Sequence, residues 1–87
     1  MNLKELVGMN LKYYRYKTGL SQEKYYTSLN LNPKYLANVE RGEENLTIDY
    51  VEELASKIGV QPSDLILYNE SHIVKKKRID EKVKTTN

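Results

Sequence analysis

The stretch from Ser21 to Gly42, SQEKYYTSLNLNPKYLANVERG, leaves a chain very few ways to fold. It holds two helix starts within one short span. Ser21 has a hydroxyl that can cap the free amides of a helix beginning just after it. Asn32-Pro33 marks the second start: asparagine caps, and proline at the first helical position costs nothing because its missing N–H would have had no partner there. Tyr25 and Leu29, with Tyr26 beside them, are expected to face inward on the first helix, and Leu36 and Val39 on the second. Asn30 falls in the turn, where a left-handed residue is often needed and asparagine tolerates it. Leu31 anchors that turn, and Arg41-Gly42 closes the second helix. The outward face of the second helix is polar.

The flanks extend the same pattern. Leu3, Leu6, Val7, Leu11 and Tyr14 recur at helical spacing behind Asn2, which predicts a helix over about 3–18 ended by Gly19. A polar loop, 43–46, leads to Thr47 as the cap of a fourth helix. Ile48, Val51, Leu54, Ala55 and Ile58 form its apolar face, and Gly59 ends it. A short fifth helix is expected from about Pro62 to Leu67. Five helices and no strand pattern make an all-α domain over 1–68, with 69–87 as a basic C-terminal tail or dimerisation extension. That extension carries KKKR at 75–78, and Ile73, Val74, Ile79 and Val83 form no clean stripe. A flexible tail, a short strand and a sixth helix ordered in a dimer are all compatible with it.

Composition narrows the chemistry. With 87 residues one domain is the expectation, and a chain this short often gains stability by dimerising. Cysteine is absent, so disulfides and thiolate metal sites are excluded. The N-terminal segment has no apolar run suited to a signal peptide or a membrane span, which leaves a cytoplasmic protein as the expectation. Net charge is only +2, but it is unevenly spread. Residues 1–42 carry seven Lys/Arg against three acids, 43–68 one against six, and 69–87 six against three. A basic front and an acidic middle suit a protein that meets a polyanion with one face. His72 is the single histidine and has no evident acid or nucleophile beside it, so it is expected to be solvated. The adjacent acids Glu43-Glu44 and Glu52-Glu53 lack the geometry of a metal cage. No catalytic residue, metal site or cofactor is expected, and an enzyme is disfavoured.

Two short helices across a tight turn, the second polar outside, form the helix-turn-helix layout that lays a helix in the major groove of DNA. Several segments in order then carry a family likeness: Val7-Gly8, Arg15, GLSQE at 19–23, VERG at 39–42, ELASKIGV at 53–60 and Leu65. Over about 7–67 the chain resembles the Xre-type, or Cro/C1-type, helix-turn-helix regulators. NLTI at 45–48 also resembles the loop of restriction–modification controller proteins, a small dimeric branch. The resemblance implies a compact five-helix lambda-repressor-like domain that acts as a DNA-binding transcription regulator, such as a repressor. It would bind an inverted-repeat operator as a homodimer, with helix three (about 33–40) in the major groove.

The same resemblance assigns roles by position. Arg15 and Glu40 correspond to a buried ion pair tying helix one to the end of helix three. Pro33, Lys34, Ala37 and Asn38 correspond to base-reading positions: Lys34 suits guanine O6 and N7, Asn38 suits adenine N6 and N7, and Ala37 a thymine methyl. Ser21 and Gln22 correspond to phosphate contacts, Gln22 being the one with little structural purpose of its own. Asn32, Tyr35, Arg41 and Asn45 lie on or beside the backbone-tracking surface. For Asn45 and Thr47, loop hydrogen bonding and capping are the simpler roles. Three positions depart from the pattern. Tyr26 replaces a small residue at the crossing of helices two and three, so it should swing outward or spread them. Glu43 and Glu44 stand where cations are frequent and should repel phosphate. Asn30 replaces the usual turn glycine. A competing function on the same fold is an antitoxin-like interaction module whose tail binds a partner protein through Ile73, Val74, Ile79 and Val83, with or without DNA binding.

Overall fold

A computed structural model describes residues 1–73. The KKKR run, Val74, Ile79 and Val83 lie outside the described residues, so the tail, dimerisation and partner-binding roles considered for them do too. Five helices precede a further helical stretch at 70–73: α1 (Leu3–Thr18), α2 (Gln22–Ser28), α3 (Pro33–Glu40), α4 (Ile48–Ile58) and α5 (Pro62–Ile66). No strand occurs among the described residues.

The starts are set by side chains that take up the first free amides. Asn2 accepts from the Glu5 amide at 2.9 Å while the Glu5 carboxylate accepts from the Asn2 amide at 3.0 Å, a reciprocal cap. Ser21 accepts from the Lys24 amide at 3.2 Å, Asn32 from Lys34 and Tyr35 at 2.9 and 3.2 Å, and Thr47 from Tyr50 at 3.0 Å. In the turn between α2 and α3, Asn30 has φ 60, and the Lys57 ammonium donates to the carbonyls of Leu29 and Asn30 at 3.3 and 3.4 Å. Carbonyls freed at the end of α2 are thereby paired by a residue from α4.

Helix α1 packs on α3 and α5, α2 on α3, and α4 on α5. Leu11, Tyr26, Leu36, Leu54 and Leu65 are wholly buried where these helices meet. Burying a side chain of that size stabilises by about 1.5–3 kcal/mol. The α1–α3 crossing depends on Gly8: a Cβ there would lie 2.5 Å from the Glu40 carbonyl oxygen. No larger residue fits, because the obstacle is backbone.

Five expectations need correction. Ile48, expected on the core face of α4, is 81% exposed, and Leu3 on α1 is exposed as well. Both stand in the first turn of their helices, beyond the reach of the packing layer. Tyr26 does not swing outward; it is fully buried beside Tyr25, on the inward side, with its hydroxyl paired inside. The five-helix count falls short, because residues 70–73 are helical again. His72 in that segment is not solvated but 4% exposed.

Candidate nucleic-acid interface

Helix α3 has two faces with different chemistry. Its rear end carries Glu40, a carboxylate buried against α1 and α2. Burying a bare carboxylate is prohibitive unless its lone pairs are filled. Here they are. One oxygen accepts from Arg15 Nε at 2.8 Å and the Tyr26 hydroxyl at 2.5 Å. The other accepts from the second Arg15 terminal nitrogen and from the Gln22 amide, both at 2.9 Å. The Arg15 fork is bidentate, the strongest geometry for such a pair. A further Arg15 nitrogen donates to the Leu20 carbonyl at 3.2 Å, holding the chain between α1 and α2.

The electrostatics follow from this shell. Burial pushes the Glu40 carboxyl up, but hydrogen bonds from Arg15, Tyr26 and Gln22, with the Arg15 charge, outweigh it and hold the group below the ordinary carboxylate range. The hydrogen bond to Glu40 raises Arg15 despite its partial burial. Tyr26 is pushed up by burial first, then by the Glu40 charge and by its bond to Glu40. Around neutral pH the cluster is therefore an anion–cation pair with a neutral phenol donor. Gln22 was expected to lack a structural purpose; its amide nitrogen instead completes the carboxylate shell.

The outer face is looser. Lys34 is exposed, Pro33 and Ala37 are half-buried, and Asn32 is spent on capping. Tyr35 turns away from this face and packs edge-on against Tyr50, with ring centroids 5.8 Å apart. Asn38 is held by the loop that follows: its amide nitrogen donates to a Glu44 carboxylate oxygen at 3.3 Å, and its oxygen accepts from the Arg41 guanidinium. Arg41 also pairs with Glu43 at 3.1 Å, both side chains more than half exposed. Ser21, Arg41 and Asn45 are exposed. Glu43 and Glu44 thus engage the loop and α3 itself, a pairing the sequence reading did not supply.

Sequence reasoning also missed a second buried polar cluster. Asn10 on α1 is fully buried. Its amide donates to the carbonyls of Leu65 at 2.7 Å and Leu67 at 3.0 Å, satisfying the end of α5. Its oxygen lies 2.5 Å from His72 Nδ1. The His72 ring stacks on Tyr13, with centroids 3.8 Å apart and planes 13° apart. The only sequence signal was a polar residue on the apolar face of α1, three positions after Val7. This cluster lies at the junction of α1, α5 and residues 70–73, away from the outer face of α3.

Comparison with known proteins bears on this arrangement. A helix-turn-helix family model matches residues 11–65. Control protein C.BamHI of Bacillus amyloliquefaciens is 35% identical over 66 residues, covering 75% of this chain and 82% of that protein. The HTH-type transcriptional regulator y4dJ of Sinorhizobium fredii is also 35% identical over 66 residues, covering 76% and 86%. Among solved structures, the hypothetical transcription factor NHTF from Neisseria superposes with a TM-score of 0.70 at 26% identity, over 83% of each chain.

Proposed function

The chain belongs to the Cro/C1-type helix-turn-helix family, and on that premise we propose that it is a sequence-specific transcription regulator that binds an inverted-repeat DNA operator as a homodimer. Helix α3 enters the major groove, and half-sites lie about one helical turn apart. Lys34 and Asn38 read base edges, with Pro33 and Ala37 in apolar contact. Ser21, Gln22 and Arg41 meet phosphates, which position the protein without reading sequence.

The observation that carries this reading is the division of α3 into a locked rear and a more open front with replaceable contacts. The Glu40 shell fixes the helix against α1 and α2, and Lys34 and Asn38 project from the other side. For the dimer, the support is an apolar groove of about 540 Å³ lined by Leu3, Val7, Leu46, Val51, Pro62 and Ile66, with Ile48 standing exposed at its mouth. An exposed isoleucine beside an apolar cleft is the kind of surface that a second copy of the chain covers. The seam therefore involves the starts of α1 and α4 as well as α5.

Selection from random duplexes, combined with sizing of the complex, tests the proposal. Wild type should enrich an inverted repeat and bind it two chains per site. Asn38→Ala should relax preference at one base pair per half-site, a cost of about 1–3 kcal/mol there. Binding with no sequence preference and a salt dependence that accounts for all of the affinity would overturn it.

A further inference from the structure

The free protein does not leave Asn38 empty-handed. Its amide nitrogen donates to the Glu44 carboxylate at 3.3 Å, and its oxygen accepts from Arg41. An adenine edge in the major groove offers the same pair of complements: N7 accepts from an asparagine amide, and N6–H donates to its oxygen. Glu44 supplies the acceptor that N7 would supply, and Arg41 the donor that N6–H would supply. We infer that the α3–α4 loop is an internal competitor for the base, holding Asn38 in the pairing that an adenine would otherwise take, with Glu44 as the residue that sets how much the operator must displace. The inference rests on the proposed base-reading role of Asn38 and deepens it.

The loop is built to return over that side chain. Gly42 has φ 75, a left-handed turn that side chains resist. The amides of Arg41 and Glu43 both donate to the Asn38 carbonyl, at 3.2 and 3.1 Å, and Gly42 donates to that of Val39 at 3.0 Å. Arg41 is steadied in turn by Glu43 at 3.1 Å. Asn38 and its two partners therefore sit on one closed turn at the end of α3 rather than on separate mobile chains.

The physical consequence is specific. Reading adenine requires Asn38 to leave Glu44, so part of the base contact is spent on that exchange. A base that offers no such pair leaves the internal contacts in place and gains nothing from Asn38. The competitor thus lowers affinity for the preferred operator more than for a mismatched one. Simple repulsion between the Glu44 carboxylate and phosphate would lower both alike and would not need Asn38.

A double-mutant cycle on operator binding by the full chain separates the two. The probes are the selected operator and a duplex changed only at the base pair assigned to Asn38. Glu44→Ala should tighten the selected operator roughly three- to tenfold, the scale of one hydrogen bond to a charged group in a half-exposed setting. It should tighten the changed duplex less. In an Asn38→Ala background the same substitution should give no gain. An equal gain in both backgrounds would overturn the inference in favour of charge repulsion, and so would no gain in either. If Asn38→Ala alone leaves base preference untouched, the base-reading assignment fails and takes this inference with it. That result is distinct from the other two. Folding of each variant is checked by its thermal transition, which these half-exposed and exposed sites should leave in place.

Discussion

The two faces of α3 invite comparison because less than one helix turn separates Asn38 from Glu40. At the rear, every lone pair of Glu40 meets a donor, and three side chains from two helices converge on one carboxylate. At the front, Asn38, Arg41, Glu43 and Glu44 make contacts that are half-exposed or open to water. Buried charge pairs are costly to break, whereas exposed ones exchange with solvent at little cost. The orientation of α3 is thus decided when the chain folds, and the partners of its outer residues are left to be decided by what binds. A reading helix needs both properties: a fixed pose, so that side chains reach a defined base step, and replaceable contacts, so that bases can enter.

The sharpest break of that comparison is at the rear. Glu40→Ala leaves Arg15 with its charge in a place where its side chain is only 12% exposed. Loss of one partner from a buried pair typically costs about 3–5 kcal/mol. Urea unfolding should show a much lower midpoint, and the folded fraction should lose operator binding. A midpoint near wild type would mean that the rear face is as exchangeable as the front, and the contrast would collapse.

A finer cut is Tyr26→Phe, which keeps the buried ring and removes one donor. Hydrogen bonds to charged groups contribute about 1.5–3 kcal/mol, so stability should fall by that order. A front-face truncation such as Lys34→Ala should stay within about 0.5 kcal/mol. The pH dependence gives a second readout. Glu40 is held below its unfolded value, so its contribution is present above the ordinary carboxylate range and is lost as pH falls through the folded value. Without the Tyr26 hydroxyl that loss should begin at higher pH. If acid unfolding of Tyr26→Phe superimposes on wild type, the phenol is a spectator and the ion pair alone fixes α3.

The same contrast explains what could be read in advance. Helix starts were legible at Asn2, Ser21, Asn32 and Thr47, because a cap acts on amides two or three residues away and needs no knowledge of the rest of the chain. Arg15 and Glu40 became legible only through family resemblance, since 25 residues separate them and nothing local pairs them. Tyr26 was only half legible for a related reason. A tyrosine where the family has a small residue looks like a clash until the carboxylate waiting for its hydroxyl is known. Ile48 was misread because helical spacing identifies a face but not how far along the helix that face is covered. The Asn10–His72 contact spans 62 positions and joins α1 to a segment without periodicity. Such a contact leaves no trace in local pattern.

That contact yields the smallest effect, and it places a third kind of site beside the two faces of α3. Both Asn10 amide hydrogens are committed to Leu65 and Leu67, so its oxygen can only accept, and His72 must present a protonated Nδ1. A neutral ring meets that need with its second nitrogen bare. Burial lowers the His72 pKa, Asp64 opposes the shift and Lys17 adds to it, while the rings of Tyr13 and Tyr14 flank the imidazole. Because the folded value lies below the unfolded one, the contribution of this docking is full above about pH 6.5 and is lost as pH falls through the folded value. Between those limits residues 70–73 should loosen from α1, while the Glu40 cluster, whose carboxyl is held below the ordinary carboxylate range, stays closed. Proton NMR of the Tyr13 and His72 rings should show their stacking shifts collapsing before any change at Tyr26. Replacement by a group that does not titrate, His72→Asn, should flatten that early step. If the wild-type step survives in the variant, protonation elsewhere governs the segment, and the buried histidine is only a packing element.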